Sequence, residues 1–216
     1  MPSFATLCLG TRQDALTWEK GCLDLGFTKK VSIRSPRPSL AEIVAFFGCD
    51  AEWLYIGGHF IPNYLFNESG DTRIGFNTTS VAIEAVDGKR TISHADALTV
   101  NRTAKLVLWG GCSVAGHPET VEVMRSLFGA HVLLGFAGST GHKMVDAMLG
   151  GGFIKNDFFK RLKNNQGWTD TCGGAVQAWM DTAAQGYGRG DAESNFRAFD
   201  WNGNGYKLQK GAVVGK

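Results

Sequence analysis

Short apolar runs that alternate with amphipathic stretches constrain the fold of this 216-residue chain more than any other feature of its sequence. The runs that predict strands cover residues 5–9, 31–34, 52–58, 104–109 and 131–136. The intervening stretches carry apolar residues at helical spacing, and before one of them Ser39 is a candidate N-cap, with Gly48 as a terminator. Repeated strand–helix units predict a three-layer α/β fold, with a mostly parallel central sheet and helices on both faces.

Two segments depart from this alternation. Between residues 71 and 92, short β-type runs flank Asp87-Gly88, which is a hairpin signal, so we expect an inserted two-stranded flap there. The tail from Gly186 to Lys216 is rich in Gly, Asn and charged residues, which predicts a terminal hairpin or a loosely held end. Neither a linker nor an internal repeat is visible, so residues 1–216 are expected to form one domain.

Composition removes several classes of function. The 22 basic and 20 acidic residues give a net charge of +2 without a basic stripe, so a nucleic-acid partner is not expected. No 18-residue apolar run and no secretory signal are visible, so we expect no membrane association and a cytoplasmic location. The five cysteines are odd in number and lack a CxxC, which fits neither a disulfide framework nor a zinc site. We therefore expect neither a metal nor another cofactor.

A histidine and a cysteine stand where chemistry is expected in such a fold. His59 and Cys112 each follow a predicted strand and a pair of glycines. The carboxyl ends of parallel strands meet at one edge of a sheet, so the two side chains can approach if their strands are neighbours. A thiol beside an imidazole forms a nucleophile and its base. The glycines leave backbone amides uncovered, and such amides can form an oxyanion hole.

The residues around this pair resemble a known family. The run WLYIGGHF and, with Cys112 53 positions after His59, the run LVLWGGCS are similar to the histidine and cysteine motifs of caspase-like cysteine peptidases. The order of elements is most similar to that of bacterial CHAT-type peptidases, and the resemblance covers about residues 50–185. It implies a caspase-like fold for the whole chain, including the hairpin insertion.

The resemblance also implies roles for named residues. The Cys112 thiolate would attack a peptide carbonyl, and His59 would protonate the leaving amine. Backbone groups of Gly58, Phe60 and Gly111 would surround the oxyanion. In the family, the strand that here ends at residues 136–138 lies beside the cysteine and walls the substrate groove. The groove residues implied are Phe136, Ala137 and Gly138.

Charged residues suggest two opposite substrate preferences, between which the sequence does not choose. Arg73 and Arg102 could face an acidic side chain of the substrate. The residues that could instead form the floor of a pocket for a basic side chain are Asp96, Asp146 and Asp170.

These observations together predict a cysteine endopeptidase that cleaves protein or peptide substrates through a thioester acyl-enzyme. Control of this activity by a separate regulatory chain is a further hypothesis. Two departures from the family motifs support a second hypothesis: Phe60 replaces a usual glycine, and Gly110-Gly111 replace a frequent acidic residue. This second hypothesis is an inactive caspase-like module that binds a protein partner. A flavodoxin-like binder of small molecules is a third, although residues 9–12 make a poor phosphate loop.

Overall fold

The computed structural model describes residues 1–10, 12–96, 104–138, 145, 148–149, 158–164, 173–186, 193, 195–200, 203–210 and 212–215. Within these residues the chain forms two sheets and flanking helices. The strands are β1 (Ser3–Cys8), β2 (Thr28–Arg34), β3 (Trp53–Gly57), β4 (His59–Ile61), β5 (Tyr64–Phe66), β6 (Arg73–Phe76), β7 (Ser80–Ala85), β8 (Gly88–Ser93), β9 (Leu106–Trp109), β10 (Val132–Phe136), β11 (Phe196–Asp200), β12 (Gly205–Gln209) and β13 (Ala212–Gly215). The α-helices are α1 (Arg12–Asp24), α2 (Leu40–Phe47), α3 (Pro118–Phe128), α4 (Phe158–Asn164) and α5 (Gly173–Gly186).

The larger sheet has eight strands in the order β13-β12-β11-β10-β9-β3-β1-β2. Neighbouring strands from β2 to β10 in this order are parallel, and those from β10 to β13 are antiparallel. The predicted α/β class is therefore confirmed, with a mixed central sheet.

Helices cover both faces of this sheet because successive apolar side chains along a strand point to opposite faces, so both faces are apolar. In β3, Trp53 and Tyr55 enter one core, and Leu54 and Ile56 enter the other. The first core is closed by α1, α4 and α5, whereas α2 and α3 close the second. Strands that are apolar on both faces are typical of a sheet buried between two helical layers.

The helix ends follow the signals in the sequence. The Ser39 hydroxyl accepts a hydrogen bond from the Glu42 amide, and the Glu42 carboxylate accepts one from the Ser39 amide, which forms a capping box at α2. Gly48 follows the last residue of α2, as predicted. Gly129 ends α3 at a φ of 55°, a left-handed conformation that glycine adopts without strain.

The inserted segment is larger than the predicted two-stranded flap. Its hairpin, β7 and β8, forms as expected, although the turn lies at Val86-Asp87 and Gly88 pairs with Ala85; the hairpin belongs to a five-stranded antiparallel sheet in the order β4-β5-β6-β7-β8. The first of these strands begins at His59, directly after the larger sheet's β3. The strands of three or four residues were not predicted because they are too short to show the two-residue alternation of apolar side chains.

The smaller sheet is anchored to the rest of the molecule. Its inner face contributes apolar side chains to the second core, and its hairpin tip reaches α2, where the Asp87 carboxylate accepts a hydrogen bond from the Leu40 amide at 2.7 Å. The inner-face residues are Phe60, Leu65, Ile74, Phe76, Val81, Ile83 and Ile92. The insertion is therefore part of the packed core.

The tail forms the predicted hairpin, and the alternative of a loosely held end is wrong for its described residues. β11 pairs with β10 in the register Phe136↔Phe196, and β12 and β13 continue the sheet. The Arg125 guanidinium donates to the Asp200 carbonyl at 2.9 Å, which ties α3 to the turn after β11.

No helix in the part of the chain that the structure describes is both long and apolar enough to cross a membrane.

Candidate active site

The strands that precede His59 and Cys112 are neighbours. β3 and β9 pair in parallel, with Ile56 opposite Trp109, and the Gly110 amide donates to the Ile56 carbonyl at 2.8 Å. The condition that the sequence left open is therefore met: both residues follow adjacent parallel strands at the same edge of the sheet. We call this edge, where the strands end at their carboxyl termini, the carboxyl edge.

Backbone segments approach closely at the carboxyl edge because glycines remove the side chains there. A Cβ added to Gly111 would lie 3.1 Å from the Gly58 carbonyl oxygen and 3.1 Å from the Phe60 Cβ. A Cβ added to Gly10 would lie 3.1 Å from the Gly58 Cα. The structure thus brings the predicted oxyanion residues Gly58, Phe60 and Gly111 together, with the loop after β1 beside them.

The Tyr55 side chain accounts for the first glycine of each pair, Gly57 and Gly110. This role of Tyr55 was not predicted from the sequence. A Cβ on Gly57 would lie 2.8 Å from the Tyr55 hydroxyl oxygen, and a Cβ on Gly110 would overlap that oxygen. The buried Tyr55 ring therefore fills the side-chain space of both glycines. The sequence did contain one indication of this contact. Residues two apart share a face of a strand, so the large residue two positions before Gly57 lies on the same face as that glycine.

Cys112 lies on a sharp turn from strand to helix. It is half-buried, and the next residue, Ser113, has a φ of 60°, which non-glycine residues rarely adopt. The Ser113 amide donates to the Gly138 carbonyl at 2.9 Å, and a 3-10 helix follows at Val114–Gly116. Turns of this kind place a nucleophile at the rim of an α/β sheet, and rare backbone conformations cluster at active sites.

His59 and Phe60 point to opposite sides of β4. The exposed His59 ring lies 5.7 Å from the Phe66 ring, nearly parallel to it. Phe60 is buried and meets the Trp109 ring edge-on at 5.5 Å. Since the Phe60 side chain occupies the core, the phenylalanine that departs from the family motif does not cover the outer side of β4, where His59 lies.

The predicted groove segment adjoins the Cys112 turn. A Cβ on Gly116 would lie 2.5 Å from the Ala137 carbonyl oxygen, and the Gly138 carbonyl accepts the Ser113 amide described above. Ala137 and Gly138 are half-buried, whereas Phe136 is fully buried against Trp179 and Phe196. The Phe136 side chain therefore belongs to the core, and Ala137 and Gly138 form the accessible part of this segment.

Burial distinguishes Cys8 and Cys22 from the half-buried Cys112. Desolvation raises the pKa of Cys8 to about 12, and it raises the pKa of Cys22 well above its ordinary value. Cys49 is half-buried, and desolvation again raises its pKa. These groups stay protonated at neutral pH, where a thiol is a poor nucleophile. Cys172 lies outside the described residues.

The charged candidates for substrate selection are only partly placed. Asp96 accepts a hydrogen bond from the Ser93 hydroxyl at 2.7 Å where a helix begins, which assigns it to helix capping. Arg73 is exposed on β6. Arg102, Asp146 and Asp170 lie outside the described residues. Within the described part of the chain, no three His, Cys, Asp or Glu side chains are grouped as a metal site would require.

A comparison of the sequence with protein-family models found no match, and a comparison with curated proteins found none either.

Proposed function

We propose that this chain is a caspase-like cysteine endopeptidase in which Cys112 is the nucleophile and His59 the base. The observation that carries the proposal is the half-buried Cys112 on a strand-to-helix turn, directly beside the strand that leads to His59. Ligands of open α/β sheets bind at the carboxyl ends of the strands, and there a nucleophile and a base that follow neighbouring strands can come within hydrogen-bond reach.

The reaction divides into two halves. His59 accepts the Cys112 proton, and the thiolate attacks the peptide carbonyl carbon to form a C–S bond and a tetrahedral oxyanion. The C–N bond then breaks as His59 returns the proton to the leaving amine, which leaves a thioester on Cys112. In the second half, water loses a proton to His59 and attacks the thioester. The acid product leaves, and the thiol takes back its proton.

The glycine-rich strand ends suit the oxyanion. Gly58 and Gly111 carry no side chain and the Phe60 side chain points into the core, so the backbone amides at these positions are our candidates for the oxyanion donors. One donor aimed at the developing charge is worth about 3 kcal/mol, so these loops would supply as much of the rate as a catalytic side chain does.

An inactive module that binds a protein partner is the second candidate, and the Phe60 departure favours it. Turnover separates the two. We would incubate the protein with a mixture of internally quenched peptides and, separately, with a peptidyl acyloxymethyl ketone, which alkylates a catalytic thiolate to a thioether and releases its carboxylate. An endopeptidase cleaves peptides and gains on Cys112 the mass of the probe without that carboxylate; Cys112→Ser loses both cleavage and labelling, and Cys49→Ser, at a half-buried thiol elsewhere, keeps both.

Partner binding without turnover or labelling would instead favour the inactive module. The same experiment tests the hypothesis of a separate regulatory chain, because full activity of the purified chain alone would contradict it.

A further inference from the structure

The exposed imidazole of His59, the proposed base, has an aromatic neighbour on the next strand. His59 on β4 pairs directly with Phe66 on β5, and the two ring centroids lie 5.7 Å apart with an angle of 28° between the ring planes. Residues directly opposite each other in an antiparallel pair project to the same face of the sheet. The Phe66 ring therefore covers one side of an otherwise exposed imidazole.

A base on a surface strand needs a neighbour that orients it. Rotation about the two side-chain bonds of a histidine moves its ring nitrogens widely, and proton transfer requires one of them within about 3 Å of its partner. In many catalytic sites a third side chain, such as a carboxylate, orients the base by a hydrogen bond. No carboxylate or carboxamide bonds to the His59 imidazole within the part of the chain that the structure describes. Phe66 is the ring that packs on it there.

Phe66 is itself tied to the larger sheet through the residue that follows it. Asn67 is fully buried, and its side-chain amide donates to the carbonyl of Pro36 at 2.7 Å, in the loop after β2. The same two loops are joined again by the ion pair between Asp71 and Arg37 at 2.7 Å. Because β2 belongs to the larger sheet, these bonds hold the end of β5, and with it the Phe66 ring, in place relative to the carboxyl edge.

Tyr64 provides an internal comparison with Phe66. It lies two residues earlier on the same strand, so its side chain is on the same face. Tyr64 pairs with Ile61 instead of His59, and its ring lies under the Arg73 guanidinium, whose carbon is 5.9 Å from the ring centroid. The two aromatic residues of β5 therefore differ in whether they stack on the proposed base.

We propose that Phe66 is a positioning residue: its ring holds the His59 imidazole in one orientation, from which the imidazole exchanges a proton with Cys112. This inference rests on the proposed function, because it takes His59 as the base. A stacked aromatic pair favours the paired arrangement by a factor of about 2 to 10. A base that is correctly oriented for a larger fraction of the time raises kcat in proportion.

The test removes the ring and measures kcat and KM separately on an internally quenched peptide. Phe66→Leu keeps an apolar side chain, and it should lower kcat about fivefold while KM changes by less than about twofold. Phe66→Tyr keeps the ring and should retain the wild-type kcat. Tyr64→Leu removes the neighbouring ring, and its kcat should stay within about twofold of the wild type. A Phe66→Leu protein with the wild-type kcat, a loss expressed only in KM, or a loss that Phe66→Tyr shares would overturn the positioning role.

A second measurement does not depend on cleavage. In protein labelled with ¹³C in the histidine rings, the ring-proton resonances of His59 are those that His59→Ala removes. The Phe66 ring current should displace them from the positions of an exposed histidine. Phe66→Leu should return them toward these positions, whereas Phe66→Tyr and Tyr64→Leu should leave them displaced.

The two measurements together separate this inference from the proposed function. If the wild type cleaves no peptide but shows the displacement that depends on Phe66, the proposed function fails and the stacked orientation of His59 stands. If the wild type cleaves peptides and Phe66→Leu leaves the His59 resonances unchanged, the proposed function stands and the positioning role of Phe66 is overturned.

Discussion

The two edges of the parallel strands are built in opposite ways. The carboxyl edge is made of glycines and close backbone contacts, and it carries His59 and Cys112, the proposed base and nucleophile. At the opposite edge, which we call the amino edge, side chains of opposite charge pair with one another: Lys30 with Asp50 at 3.2 Å, and Lys105 with Glu52 at 2.7 Å. Charged side chains pair with one another at the amino edge, whereas glycines bring backbone segments together at the carboxyl edge.

The amino edge contains a cavity of about 570 Å³. It is lined by Met1, Ser3, Lys30, Asp50, Glu52, Lys105 and His131. Both carboxylates of this cavity are in ion pairs. The acidic side chains of this cavity therefore already have basic partners within the chain.

The largest expected effect is on activity at the carboxyl edge. Cys112→Ser should lower kcat/KM for peptide cleavage by about a thousandfold or more, because the hydroxyl replaces the nucleophile. The midpoint of urea unfolding should stay close to that of the wild type, since the two side chains are similar in size. Substantial activity in this variant would remove Cys112 from the mechanism and break the contrast between the edges.

The next effect is on stability at the same edge. Gly110→Ala should lower the free energy of unfolding by about 2 kcal/mol, because the new methyl group overlaps the Tyr55 hydroxyl. Urea denaturation measures this cost. In a Tyr55→Leu background the same substitution should cost at least about 1 kcal/mol less. An unchanged cost would show that Tyr55 is not what requires glycine at position 110.

A smaller effect concerns pH. The pKa of Cys8 is raised by burial to about 12, so the folded state keeps its proton while the unfolded chain loses it above about pH 9. Stability is therefore fully present below pH 9 and falls as pH rises toward 12. Between pH 8 and pH 10, the loss in wild type should exceed that in Cys8→Ala by about 1 kcal/mol. Equal losses in the two proteins would contradict the burial of this thiol.

The smallest effect is expected at the amino edge. Lys105→Met removes a partly exposed ion pair with Glu52 and should change the free energy of unfolding by less than about 1 kcal/mol. Peptide cleavage should not change. A large loss of activity in this variant would show that the amino edge takes part in function, and the comparison between the edges would then fail.

Much of the main sheet could be predicted from the sequence, because its central strands are apolar on both faces and α2 and α3 have recognisable end residues. Ser39 with Glu42 and Gly129 at the end of α3 are examples in which a local residue pattern determines a local structure. The pairing of β3 with β9 is a longer-range property, which the sequence allowed without requiring it.

The smaller sheet could not be predicted in full. β4 and β5 have three residues each, too few to show a period of two, and the pattern placed the first flap strand only after residue 71. A local signal was present at Pro62-Asn63, where Asn63 has a φ of 67° in the turn between them. Tyr55 was missed for another reason: its role depends on Gly110 of a neighbouring strand, which only the register reveals.

The proposed pair of Cys112 and His59 can be tested by the rate at which iodoacetamide alkylates each cysteine between pH 5 and pH 9, mapped by peptide mass spectrometry. We expect Cys112 to react at about pH 6 to 7, well before Cys49, and His59→Ala to slow Cys112 alone. A Cys112 that reacts no faster than Cys49 at neutral pH and is indifferent to His59→Ala would contradict the catalytic pair.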